Sequence, residues 1–112
     1  MATAPIDPAV PVPDEATGRF LKALASEARQ RVMLLFASGG ELSVGEVAER
    51  LGIGQSTASQ QLAQLKEGGL LASRREAKTV YYRADKERIG AALDRLRAFL
   101  DGCCLPEWLT RG

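Results

Sequence analysis

The sequence predicts an α+β fold, mainly α: a winged helix-turn-helix of five helices with a two-stranded β-hairpin wing, dimerising through its terminal helices. Three observations predict it. Two short helical patterns, one opening at Ser43 and one at Gln55, sit either side of a tight Gly52-Ile53-Gly54 break. Two alternating runs, Leu70 to Arg75 and Thr79 to Ala84, follow at once as a basic hairpin. The chain then closes on a helical pattern whose residues Ile89, Leu93, Leu96, Leu100 and Cys103 are spaced 4, 3, 4, 3. That order places one helix in a DNA major groove with a loop beside it.

Each element has a local reason. Residues 1–14 hold four of the five prolines and almost no helical signal, which predicts an extended arm. A first helix runs from about Glu15 to Leu24, with Phe20, Leu21 and Leu24 expected on its inner face. Ser26 is an N-cap candidate for the second, with Val32, Leu35 and Phe36 on its apolar side and Gly39-Gly40 stopping it. Ser43 with Glu46 three residues on forms a capping box for the third, which turns Val47, Ala48 and Leu51 inward. Ile53 fills the corner of the turn. In the fourth helix, Gln55 to Glu67, Ala58, Leu62 and Leu65 recur at helical spacing and predict core. Gly68-Gly69 end it, and Leu71, Val80 and Tyr82 are candidates for the buried side of the hairpin. Glu76-Ala77-Lys78-Thr79 joins the two strands. The last helix spans Asp85 to Asp101. Its apolar spacing is that of a coiled-coil seam, and so small a domain has little left to cover it, so a second copy of the chain is the expected partner. The organisation is therefore an arm over 1–14, a DNA-binding and dimerisation domain over 15–101, and a tail over 102–112 carrying two adjacent cysteines.

Composition narrows the chemistry. At 112 residues, 46% hydrophobic and 26% charged, the chain suits one small soluble domain. No stretch reaches the ~18 apolar residues of a membrane span. The N-terminus has neither a basic region nor an apolar run of the signal-peptide kind, so a cytoplasmic protein without a membrane partner is expected. There is no histidine, which excludes a His general base, a Ser-His-Asp triad and a His zinc site. With carboxylates spread along helical faces, no assembled base or nucleophile remains apart from the thiols; an enzyme is not expected, nor a required cofactor.

Charge is placed where a DNA contact needs it. Net charge is only +1, yet Arg74, Arg75, Lys78 and Arg83 face a single carboxylate, Glu76, within the hairpin. The fourth helix presents Gln55, Ser56, Ser59, Gln60 and Gln64 opposite its apolar stripe, with Thr57 and Gln61 flanking. Hydroxyls and amides both donate and accept, so they can read base edges or bind phosphates. A merely polar face and a solvated charged hairpin are the bland readings of the same residues.

These residues resemble the ArsR/SmtB family of winged-helix repressors, small dimeric proteins that release operator DNA when a metal or metalloid binds. LKALASEARQRVMLLF is similar to the family's opening helices, ELSVGEVAERLGIGQSTASQQLAQLKEGGLL to its helix-turn-helix and SRREAKTVYY to its wing. The resemblance covers about Phe20 to Leu100. It implies base or phosphate contacts from Gln55, Ser56, Thr57, Ser59, Gln60 and Gln61, and phosphate or minor-groove contacts from Arg74, Arg75 and Lys78. Relatives often carry basic or imidazole side chains where Gln60 and Gln61 stand, so base preferences do not transfer.

The same resemblance frames the ligand. Relatives that sense soft metals near the third helix often carry Cys-Val-Cys, where this chain has Ser43-Val44-Gly45. Relatives that sense zinc on the terminal helix use histidine, absent here. Cys103 and Cys104 remain, either as small apolar fillers or as a thiolate pair for a soft ion. A trivalent organoarsenical, with one bond already to carbon, needs only two thiolates. Arsenite or antimonite needs a third, supplied across the dimer. A redox reading competes, in which oxidation bridges the two sulfurs; adjacent residues do this only through a strained ring, so a bridging atom suits them better. A winged-helix adaptor that binds protein and not DNA is the alternative from another class.

Overall fold

The computed structural model describes residues 14–103. It has five helices and a three-stranded antiparallel sheet: α1 (Glu15–Leu24), α2 (Glu27–Leu34), β1 (Leu42–Ser43), α3 (Val44–Leu51), α4 (Gln55–Glu67), β2 (Leu71–Glu76), β3 (Thr79–Ala84) and α5 (Lys86–Cys103). The mainly helical winged arrangement is the expected one. The sheet gains a strand that the sequence does not announce. Leu42 and Ser43 pair with Tyr82 and Tyr81, giving the order β1-β3-β2. The wing is thus stitched to the entrance of α3.

Local chemistry sets the helix starts. The Asp14 side chain accepts from the Thr17 amide at 2.7 Å and Ser26 from the Arg29 amide at 3.3 Å. The box at α3 closes both ways: Ser43 Oγ accepts from the Glu46 amide at 3.1 Å, and Glu46 Oε1 from the Ser43 amide at 2.9 Å. Gly52, at φ 65°, ends α3 in the left-handed region that favours glycine. The hairpin pairs Leu71 with Ala84 through to Glu76 with Thr79, leaving Ala77-Lys78 as its turn.

The core is one cluster between the helices and the sheet. Phe20, Val32, Phe36, Val47, Ala58, Leu62, Leu65, Leu71, Tyr82 and Ala92 are buried in it. Two expectations need correction. On α1 the buried residues are Thr17, Phe20 and Ala23, while Leu21 is 41% exposed. The inward face follows a three-residue step from Thr17, which turns Leu21 about 100° away from it. And α2 stops at Leu34, so Leu35 and Phe36 reach the core from tight turns closed by Leu35 N–H to Val32 O and Phe36 N–H to Met33 O.

Two places bring the N-terminal helices against α4. Gly68, just past the helix end, lies so close to α1 that a Cβ there would stand 2.5 Å from the Ala23 Cβ. Arg29 of α2 reaches both helices. Beyond buried Ala92, α5 leaves Leu93 and Leu100 exposed, at 52% and 37%. No helix of the described residues is long and apolar enough to cross a membrane.

Candidate nucleic-acid interface

The amino-terminal half of α4 faces the wing across an open groove of about 620 Å³. One wall is Gln55, Ser56 and Ser59; the other is Lys78, Thr79 and Val80; Ser43, Val44 and Gly45 form the floor. The buried stripe of Ala58, Leu62 and Leu65 fixes this orientation, because it pins the opposite side of α4 to the core. The groove therefore joins an amide-and-hydroxyl wall to a cationic tip. It can take a polyanionic backbone while a helix face reaches base edges.

The predicted site residues fall into three groups. Gln55, Ser56 and Ser59 line the groove with Lys78, while Thr57 and Gln60 are exposed on the same helix and Arg75 is exposed on β2. Gln61 is half-buried, and its side-chain oxygen accepts from Arg29 Nη1 at 3.4 Å, so it is turned toward α2. Arg74 is already engaged by its own protein. Its guanidinium binds Glu41 and Glu76 and lies 4.8 Å from the centre of the Tyr81 ring. Those carboxylates raise its pKa, and the same hydrogen bonds hold Glu41 below the usual glutamate range. Ser43, read in the sequence as the cap of α3, and Thr79, read as part of the wing turn, also line the groove.

A helix-turn-helix domain model matches residues 24–74, which run from the end of α1 to the middle of β2. The chain is 41% identical over 87 residues to a biofilm growth-associated repressor of Agrobacterium fabrum, spanning 78% of this chain and 71% of that one. It is 46% identical over 89 residues to arsenic resistance transcriptional regulator ArsR1 of Pseudomonas putida, spanning 80% and 68%. Its backbone resembles the homodimeric winged helix-turn-helix DNA-binding domain of a possible ArsR-family regulator from Mycobacterium bovis. There the TM-score is 0.63, with 34% identity over 78% of this chain and 80% of that one. This chain is an ArsR-family DNA-binding transcriptional regulator. Its recognition helix is α4 and its wing is β2-β3.

For a ligand, the sequence singles out two regions, Ser43-Val44-Gly45 and the end of the last helix. At Ser43-Val44-Gly45 the hydroxyl is already committed to the helix cap, so this position is a structural start to α3. Cys103 is the last residue of α5, half-buried, and its sulfur is disulfide-bonded. Cys104 lies outside the described residues, as do most of the 1–14 arm and the tail after Cys103. Among the described residues, no three His, Cys, Asp or Glu side chains gather where they could hold a metal ion.

Proposed function

We propose that this regulator is a homodimeric repressor that releases operator DNA when a trivalent arsenical binds the Cys103-Cys104 thiols. The observation that carries it is the position of Cys103 at the end of α5, the helix whose Leu93 and Leu100 stand uncovered by their own domain. A thiol pair at the end of a self-pairing helix is placed to alter how two subunits meet. Similarity to an arsenic resistance regulator supports the ligand class. Once a thiol reductant has opened the disulfide at Cys103, methylarsenite, CH3As(OH)2, condenses with the two thiols to give a cyclic dithioarsenite and two waters. Arsenite or antimonite would take a third thiolate from the second subunit.

Release then follows from differential affinity. The two α5 helices set the distance between the two α4 helices, and a ligand that prefers another pairing shifts the dimer away from DNA. Changing Cys103 and Cys104 together to Ser leaves binding to a duplex selected by the wild-type protein intact. It abolishes release by methylarsenite in a gel-shift titration. Release by methylarsenite from the double variant would overturn the assignment.

A thiol redox regulator is the second reading, favoured by the disulfide at Cys103. Two thiols would pass two electrons to a peroxide, releasing water, and α5 would end in the oxidised form. Peroxide, tested beside methylarsenite on the reduced protein, separates the two. The adaptor reading fails if the chain retards duplex DNA with sequence preference.

A further inference from the structure

The Arg29 side chain of α2 makes hydrogen bonds to two other helices. Its Nε donates to Ala23 O at 2.6 Å and its Nη2 to Lys22 O at 3.0 Å, both carbonyls at the end of α1. Its Nη1 donates to Gln64 Oε1 and, at 3.4 Å, to Gln61 Oε1, both on α4. Lys22 O also accepts from the Ala25 amide at 3.3 Å, and the negative end of the helix dipole favours a cation beside carbonyls at a helix end. One edge of the guanidinium thus caps α1 while another holds α4.

We propose that Arg29 is a positioning residue that sets the rotation of the recognition helix against α1. Otherwise α4 is held mainly by apolar contact through Ala58, Leu62 and Leu65, all fully buried. Apolar contact fixes a separation but is non-directional, so it tolerates rotation about the helix axis and sliding along it. Hydrogen bonds are directional and resist both. Among the described residues, the Arg29 bonds are the side-chain hydrogen bonds that tie α4 to the N-terminal helices. Lysine cannot replace this, because its point charge lacks the planar fork that spans two backbone carbonyls and two side-chain amides. Since α1 packs on α5, Arg29 links the subunit-pairing side of the domain to the base-reading helix.

The inference rests on the dimeric reading proposed above, and the half-site spacing that the dimer prefers tests it. The probe is the palindromic duplex selected from a random library by wild-type protein, beside two versions with one central base pair added or removed. Each change rotates one half-site by about a tenth of a helical turn. Wild-type protein should lose affinity for the altered duplexes about tenfold, the size of a single mismatched pair. Gln64→Ala, at an exposed side chain, should keep the wild-type melting temperature yet bring that ratio toward one. Arg29→Lys should do the same. Gln64→Glu, which still accepts from Arg29 and does so as an anion, should keep the wild-type ratio. Were Gln64 a direct phosphate contact instead, the new carboxylate would weaken binding to all three duplexes.

A Gln64→Ala protein that discriminates spacing as the wild type does overturns the inference alone, as does a Gln64→Glu protein that behaves like Gln64→Ala. A wild-type protein indifferent to spacing overturns the paired reading, and this inference with it.

Discussion

Arg74 Nε donates to both carboxylate oxygens of Glu41, at 2.9 and 2.8 Å, joining the wing to the segment that leads into α3. A second nitrogen meets Glu76 at 3.1 Å, and the guanidinium lies over Tyr81 of the neighbouring strand. The first arginine of the wing is therefore a root for the hairpin before it is a hand for DNA. Its charge is balanced by two carboxylates, whereas Lys78 stands at the tip beside the groove and Arg75 is exposed on β2.

That difference is measurable as salt dependence. Each phosphate neutralised adds roughly 0.9 to the steepness of log affinity against log salt. Arg75→Ala and Lys78→Ala should each lower the slope by roughly that amount. Arg74→Ala should change it by well under one, while Glu41→Gln, which releases Arg74 toward the DNA, should steepen it. Gel shifts across a salt series give the slopes. Equal losses for all three basic residues would mean that Arg74 leaves Glu41 when DNA arrives.

Gly68 makes a steric prediction. Its φ is −75°, open to any residue, so the argument is space alone. A methyl group there meets the Ala23 Cβ at 2.5 Å and the Arg19 carbonyl oxygen at 3.1 Å. Gly68→Ala should cost about 1–3 kcal/mol, the usual range for overpacking, read from urea unfolding. Adding Ala23→Gly should recover part of it, because the nearest clash is with that methyl. A neutral Gly68→Ala would show that α1 and α4 separate easily, which would also undercut a rigid Arg29 tether.

Much of this was legible in the chain, for identifiable reasons. Ser43 and Glu46 announce α3 because a capping box is local, needing only two residues three apart. Ala58, Leu62 and Leu65 announce α4 because helical period shows in sequence. What escaped is whatever depends on distance. The Glu41–Arg74 pair joins residues 33 apart, and Arg29 reaches Gln64 across 35. Neither pairing has a signature in its own neighbourhood. Strand β1 is two residues long, too short for alternation, and exists because Tyr81 and Tyr82 offer it a ladder. Leu21 was misplaced because a lone apolar residue beside a buried stripe reads as part of it. On the polar face of α4, Gln61 and Gln64 both turn to Arg29 of α2, and only the position of that arginine decides it.

Acid should unsettle the fold from a few defined points. The Glu41 carboxyl is held low chiefly by its hydrogen bonds from Arg74, Asp14 by the Thr17 amide and Glu46 by the Ser43 amide. In each the charged form is the stabilised one. Their contribution is thus complete above the ordinary carboxylate pKa of about 4 and is lost as pH falls through the depressed values beneath it. With no histidine in the chain, no side chain ordinarily titrates between about pH 5.5 and 7.5, so urea midpoints should be level there. They should drop below about pH 4, and Glu41→Gln should make that drop shallower. A transition near neutrality would point to a shifted group that these contacts do not include.

The apolar face of α5 gives the final prediction. Leu93 and Leu100 are seven residues apart, two turns of helix, and so lie on one side. Both are exposed, and Leu21 of α1 is exposed as well. Burying a leucine contributes about 1.5–3 kcal/mol, so a symmetric contact that covers each residue twice is enough to hold two small subunits. Leu93→Glu with Leu100→Glu should therefore convert a dimer to a monomer by sedimentation while far-ultraviolet circular dichroism stays unchanged, since neither side chain belongs to the buried core. Operator affinity should fall steeply in the same variant, because one recognition helix then binds without its twin. If the charged variant still sediments as the wild-type assembly does, subunits pair through another surface, and Cys103 loses the position from which it would influence DNA.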